Sequence, residues 1–96
     1  MRVRYTPRAR DDLAAIYHYL DQRSPEGARS VKIAIERRIR LLEDFPFIAP
    51  MTEEMGVYEP SIVRYPYKIY YRVEGDEVRI VHVRHASRDR PELKEF

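Results

Sequence analysis

The sequence contains no cysteine, which excludes a disulfide framework, a thiolate nucleophile and every cysteine-based zinc or iron–sulfur site. It has no apolar run close to the roughly 20 residues that span a bilayer. Residues 1–5 include no apolar stretch of signal-peptide length. We therefore expect a cytoplasmic protein, without a membrane partner, that is stabilised by packing.

Length and composition point to one folded domain. The chain has 96 residues and a mass of 11.6 kDa, with 44% hydrophobic and 35% charged residues. Chains divide into several domains only at roughly 250–300 residues, and this composition fits a packed core with a soluble surface. A single domain over residues 1–96 is therefore predicted.

Charge is divided unevenly along the chain. The net charge is +2, but residues 1–40 carry +5, residues 41–62 carry five acids and no Lys or Arg, and residues 63–90 carry +3. Fifteen of the eighteen basic residues are Arg, whose planar fork suits bidentate contacts with phosphate or carboxylate. The Arg excess is compatible with a polyanion or with an acidic protein partner.

Two adjacent helices are predicted in the first half of the chain. Thr6-Pro7 and Ser24-Pro25 each combine a capping hydroxyl with a proline at the first helical position. Apolar residues recur at the helical period after each signal, and Phe45-Pro46 ends the second helix. The spacing therefore predicts a helical hairpin, preceded by a short strand over residues 2–5 and followed by a loop over residues 46–56.

The second half of the chain is predicted to form three strands. The segments Tyr58–Arg64, Tyr67–Val73 and Val78–His85 are rich in Tyr, Ile and Val, and Gly75-Asp76 suits a two-residue hairpin turn. On the middle strand one face is predicted to be core and the other basic and aromatic. The apolar residues of the last strand alternate irregularly, as in a strand buried on both faces or one interrupted by a bulge. The predicted fold class is α+β, with order β-α-α-β-β-β and the helical hairpin packed on a small, largely antiparallel sheet.

This element order, with four local signatures, resembles the RelE/ParE family of toxins from type II toxin–antitoxin systems. The signatures open the first helix, occupy the middle and last strands and follow the last strand: Tyr5–Leu13, Arg64–Val73, Val78–His85 and Ser87–Asp89. The resemblance implies a cognate antitoxin partner with an acidic, partly disordered segment. RelE-like members cleave mRNA on the ribosome, whereas ParE-like members inhibit DNA gyrase. The ending His85-Ala86-Ser87-Arg88-Asp89 resembles the ParE branch, so gyrase inhibition is favoured and ribosome-dependent mRNA cleavage is the alternative.

If the chain is a ribonuclease, the resemblance implies a catalytic set made of Arg64, Lys68, Arg84 and His85. Lys68 stands where RelE-like enzymes place a phosphate-stabilising Arg, and a phosphate would rest between Lys68 and Arg84 if the sheet brings them to one surface. RNA cleavage needs a base, an acid and cations to stabilise phosphoryl charge. The acids of residues 41–62, Glu59 among them, would repel RNA phosphates, and His85 alone would have to serve as acid and base.

Structural interpretations stand beside these roles. His85 fits a histidine hydrogen-bonded to backbone or to Asp89, and Arg88-Asp89 fits a local ion pair. The tyrosines at 65, 67, 70 and 71 either stack on bases or pack the sheet. His82 and His85, three apart on a strand, point to opposite faces, which argues against a shared metal. No cofactor is expected. The apolar residues Phe47, Ile48, Met51 and Met55 either fold over the core edge or are exposed for docking.

Overall fold

The computed structural model describes residues 1–52, 54, 56–59 and 65–86. Within them the chain forms two helices and three strands: β1 (Arg2–Tyr5), α1 (Pro7–Arg23), α2 (Pro25–Asp44), β2 (Tyr67–Glu74) and β3 (Glu77–His85). The helical hairpin packs on one face of the sheet, which confirms the predicted α+β class.

Both helices begin at their capping hydroxyls. The Thr6 hydroxyl accepts a hydrogen bond from the Ala9 amide at 3.2 Å, and the Ser24 hydroxyl accepts one from the Gly27 amide at 3.0 Å. The Ser24 amide also donates to the Leu20 carbonyl at 2.8 Å, so one residue ends α1 and starts α2. These contacts satisfy backbone groups that helix ends otherwise leave unpaired. The predicted helix boundaries are confirmed.

The described sheet is mixed, with β3 in the centre. Its order is β1-β3-β2, with β1 parallel to β3 over four residue pairs and β2 antiparallel to β3 over eight. Of the predicted strand Tyr58–Arg64, residues 60–64 lie outside the described residues. Tyr58 forms isolated bridges with Met51 and Tyr71.

A tight turn joins β2 to β3 where the sequence predicts it. Gly75 has φ +59°, and no non-glycine residue in the described part of the chain has positive φ. Positive φ at the first central residue alone is the arrangement of a type II′ turn, which matches the twist of the flanking strands. The turn sets Glu74 opposite Glu77 and fixes the register of the hairpin.

The last strand contains a bulge and is also buried on both faces. Tyr70 pairs with His82 and Tyr71 with Ile80, so Val81 is an extra residue on β3. Ile80 and Val83 both join the core beneath the helices, whereas Val81 joins a second apolar cluster with Val57 and Tyr70. We call the side of the sheet that carries this second cluster the open face. Its basic and aromatic character on β2 agrees with the prediction.

The main core lies between the sheet and one stripe of α2. The buried residues of that stripe follow the helical period: Ala28, Val31, Ile35, Ile39 and Leu42. They join a cluster whose sheet side is made of Tyr67, Ile69, Tyr71, Val78, Ile80 and Val83. Apolar area buried in this way supplies most of the stability of a domain of this size.

The two isoleucines of α2 provide a test of this core. Ile35 is 0% exposed and Ile33 is 42% exposed. Ile35→Ala is expected to lower the free energy of unfolding by about 2–5 kcal/mol, because it removes buried methyl groups and leaves a cavity. Ile33→Ala is expected to change it by less than about 0.5 kcal/mol. Urea unfolding of the two variants measures both; equal losses would contradict this packing.

Candidate functional site

The end of the β2–β3 hairpin away from its turn gathers polar residues on the open face. Lys68 lies directly opposite Arg84, and Tyr70 lies directly opposite His82. Side chains at paired positions of neighbouring strands share one face of a sheet. The register therefore brings two cations, a tyrosine and a histidine together.

A chain of polar contacts links these residues. The Lys68 ammonium forms an ion pair with the Glu59 carboxylate at 3.1 Å, and Glu59 is also hydrogen-bonded to the Tyr70 hydroxyl. Arg84 Nε donates to the Tyr70 hydroxyl at 2.8 Å. We call the chain Lys68–Glu59–Tyr70–Arg84 the charge network. In this network the Glu59 carboxylate neutralises the positive charge of Lys68.

Tyr70 is held in its neutral form. Burial and the neighbouring Glu59 carboxylate raise its pKa, while the hydrogen bond from Arg84 acts in the opposite direction. The net shift is upward, so the hydroxyl stays protonated at neutral pH. Tyr70 is therefore unsuited to serve as a general base in a reaction at that pH.

Arg84 is bound to backbone as well as to Tyr70. Its side chain is buried, and one guanidinium nitrogen donates to the carbonyl oxygens of His85 at 3.2 Å and Ala86 at 3.3 Å. A buried guanidinium is stable only when acceptors surround it. These contacts tie the end of β3 to β2 through the Tyr70 hydroxyl.

An aspartate from α1 reaches the same end of β3 from the other side. Asp12 Oδ2 lies 2.6 Å from His82 Nδ1 and accepts a hydrogen bond from the Val83 amide at 3.1 Å. Because a carboxylate only accepts hydrogen bonds, Nδ1 carries the proton in this contact. The His82 ring also stacks on Tyr70, with centroids 5.6 Å apart. Asp12 thus orients His82 beside the charge network.

Of the predicted ribonuclease set, the structure separates His85 from Lys68 and Arg84. Lys68 and Arg84 share the open face, as the phosphate-site hypothesis requires. His85 pairs with Tyr67 on the helix side of the sheet, and their rings meet edge to face at 5.3 Å. His82 and His85 therefore do lie on opposite faces. Arg64 and Asp89 lie outside the described residues, so the roles assigned to Arg64 and to an Asp89 contact stay predictions.

Three members of this site were not identified as site residues from the sequence. From the sequence alone, Glu59 is only a charge that repels phosphate, Tyr70 is one of several tyrosines, and Asp12 is part of a helix start. The pairing of Glu59 with Lys68 and of Asp12 with His82 joins residues 9 and 70 positions apart. No local pattern carries such pairings, because they depend on the strand order.

A groove lined by residues of α1, α2 and β3 lies at this end of the sheet. It has a volume of about 980 Å³, an apolar wall that includes Ile16 and Leu20, and a polar end that includes Arg8, His82 and His85. Among the residues that the structure describes, no group of three or more His, Asp or Glu side chains is placed to hold a metal ion. The polar end thus offers hydrogen-bonding groups beside an apolar wall.

The turn end of the open face carries a row of arginines. Arg72 pairs with Arg79, and Arg79 pairs with Arg4 on β1. Carboxylates from the adjoining row reach them, with Arg79–Glu74 at 3.0 Å and Arg4–Glu77 at 3.4 Å. Ion pairs between such exposed groups contribute little stability. This row nevertheless keeps the turn end of the sheet positively charged.

The contacts of Asp12 predict a loss of stability when it is removed. Asp12→Ala leaves the buried His82 Nδ1 and the Val83 amide without this acceptor, which is expected to cost about 2–4 kcal/mol of unfolding free energy. Asp11 is exposed and adjacent, so Asp11→Ala is the matched control and should cost less than about 0.5 kcal/mol. Urea unfolding compares them, and an Asp12→Ala midpoint equal to that of Asp11→Ala would refute the assignment.

Within the described residues no helix has the length and apolarity to cross a bilayer.

Comparison with known proteins places the chain in a family. Residues 3–90 match the family described as ParE toxin of type II toxin-antitoxin system, parDE. The chain is 32% identical over 87 residues to "Toxin RelE2" of Caulobacter vibrioides, covering 91% of this chain and 97% of that protein. The solved structure "Chromosomal ParDE TA system from P. aeruginosa" matches with a TM-score of 0.77 and 29% identity, over 91% of this chain and 97% of that one. The chain therefore belongs to the ParE toxin family of type II toxin–antitoxin systems, whose members have a cognate antitoxin as partner.

Proposed function

We propose that this chain is a single-domain toxin over residues 1–96 that acts in the cytoplasm and inhibits bacterial growth by binding DNA gyrase, with neutralisation by its antitoxin. The observation that carries the proposal is the charge network. The two cations best placed to hold a phosphate, Lys68 and Arg84, are engaged by Glu59, Tyr70 and backbone carbonyls. This arrangement favours a protein-binding toxin over a ribonuclease.

The electrostatics of the network oppose RNA binding at this site. A phosphodiester approaching Lys68 meets the Glu59 carboxylate 3.1 Å from the ammonium. Replacing that carboxylate with a phosphate exchanges one ion pair for another and brings two anions together. The network sets one carboxylate against two cations, so a single net positive charge remains to stabilise a phosphoryl transition state, on the buried Arg84 guanidinium.

The position of His85 opposes a shared reaction centre. An acid or base and the stabilising cations must contact the same phosphodiester. His85 points to the helix side, against Tyr67, while Lys68 and Arg84 lie on the open face. The sheet stands between them. Among the residues described, the only hydroxyl in the charge network, that of Tyr70, has a raised pKa.

Ribosome-dependent mRNA cleavage is the second candidate. Two observations favour it: Lys68 and Arg84 lie side by side on one face, and a relative with 32% identity is named a RelE toxin. On this alternative a bound RNA displaces Glu59 from Lys68. Both activities occur on this fold, so the fold itself does not choose between them.

Controlled expression in a susceptible bacterium separates the two candidates. We expect growth arrest with gyrase-linked DNA breaks and an SOS response, while mRNA stays intact, because the proposed target is the enzyme that holds cleaved DNA. Trapped gyrase–DNA complexes and mRNA integrity are measured in the same culture. Co-expression of the antitoxin is the control and should remove both the arrest and the DNA breaks.

The contrary result is prompt mRNA cleavage without trapped gyrase. Cleavage lost in Lys68→Ala, at an unchanged unfolding midpoint, would assign the ribonuclease activity to the open face. Arrest with neither readout would reject both candidate targets.

A further inference from the structure

A cluster of large apolar side chains is exposed just after α2. We call it the apolar knob, and its members are between 52% and 61% exposed: Phe45, Phe47, Ile48 and Met51. Isolated exposed apolar residues are ordinary, but a contiguous group on a small protein marks an interaction site. Of the two interpretations that the sequence left open for Phe47, Ile48 and Met51, these exposures support docking over folding against the core. Met55, the fourth residue of that predicted cluster, lies outside the described residues.

Hydrogen bonds and the burial of Ala49 hold the backbone of the knob in place. The Tyr71 hydroxyl donates to the Pro46 carbonyl at 2.7 Å, and Ala49 is buried. Burial raises the pKa of Tyr71 to about 12, although a hydrogen bond with the Ala49 backbone acts in the opposite direction, so the donor proton is retained. The Ile48 amide donates to the Phe45 carbonyl at 3.2 Å. Small residues anchor the segment inward, and the large ones are held outward.

Aromatic contacts join the knob to the sheet. Phe47 meets Tyr58 edge to face at 5.7 Å, and Tyr58 stacks on the buried Tyr71 at 5.2 Å. Met51 bridges Tyr58 through the backbone. A surface that is ordered before binding loses less conformational entropy when a partner docks. The knob therefore has the preorganisation expected of a binding hot spot.

Two acidic residues lie directly before the knob in the chain, and we call them its acidic rim. Glu43 and Asp44 precede Phe45 at the C-terminus of α2, where the helix dipole already places partial negative charge. Carboxylates there reduce the stability of the helix, so they have no structural benefit through the dipole. The Met1 ammonium donates to the Glu43 carbonyl at 2.6 Å and offsets part of this charge. The sequence from 41 to 62 supplies no Lys or Arg.

We propose that the apolar knob docks into an apolar pocket with a basic rim on DNA gyrase, an inference that rests on the function proposed above. An enzyme that handles DNA needs Lys and Arg on its surface to hold phosphates. An apolar knob with an acidic rim complements such a surface. An acidic antitoxin segment is repelled by the same rim and is better matched to the arginine-rich parts of the chain.

Binding of purified gyrase from the source bacterium tests the knob. The double variant Phe47→Ser, Ile48→Ser should bind gyrase at least about tenfold more weakly, because both removed side chains are exposed anchors. Ile33→Ser is the matched control, because Ile33 is an exposed isoleucine on α2, outside the knob. Its affinity for gyrase should stay within about twofold of the parent. Asp44→Lys should weaken gyrase binding about threefold or more at low salt, with a smaller effect at high salt.

The antitoxin provides the second arm of the experiment. All variants should bind it within about twofold of the parent, which also shows that they are folded. Parent-like gyrase affinity in the double variant overturns the docking proposal and leaves the gyrase function standing. Loss of antitoxin binding with gyrase binding intact assigns the knob to the antitoxin and also overturns it. A parent chain that does not bind gyrase rejects the proposed function itself.

Discussion

The short length of β1 is the constraint on which the rest of the structure depends. Thr6 and Pro7 start α1 immediately after Tyr5, so β1 stops opposite Ile80 while β3 continues to His85. Beyond Ile80, β1 no longer pairs with its edge of β3. Side chains take over there: the Thr6 hydroxyl donates to the Val81 carbonyl at 3.4 Å, and the Asp12 carboxylate accepts from the Val83 amide. The bulge at Val81 lies at this same transition.

The bulge decides which residues share a surface. It keeps Ile80 and Val83 on the helix side and places His82 and Arg84 with Tyr70 and Lys68 on the open face. On this surface Glu59 neutralises Lys68, while the Tyr70 hydroxyl and nearby carbonyls hold Arg84 in place. A fold does not by itself fix an activity, so the functional proposal rests on these local partners of Lys68 and Arg84.

Local signals in the sequence predicted the first strand, both helices and the β2–β3 hairpin, whereas pairings between distant residues could not be predicted from local signals. Thr6 and Ser24 predicted both helix starts because a cap acts within three residues, and Gly75 predicted the turn because few other residues adopt positive φ. The parallel pairing of β1 with β3 joins residues more than 70 positions apart. Without that pairing, the approach of Asp12 to His82 is not predictable. The irregular pattern of β3 was consistent with a bulge or with burial of both faces, and the structure contains both.

The chain divides its surface by charge. Arginines occupy the turn end of the open face, while the apolar knob lies in the segment without a basic residue. The arginines lie on the sheet and the knob is attached to it through Tyr71, and β3 is the central strand of this sheet. Native-state hydrogen exchange at the Val83 amide measures most directly whether Asp12 replaces a strand partner at this edge of β3. The amide is expected to exchange as slowly as the β3 amides that bond to β2. Exchange as rapid as that of an exposed edge amide would show that Asp12 does not close this edge.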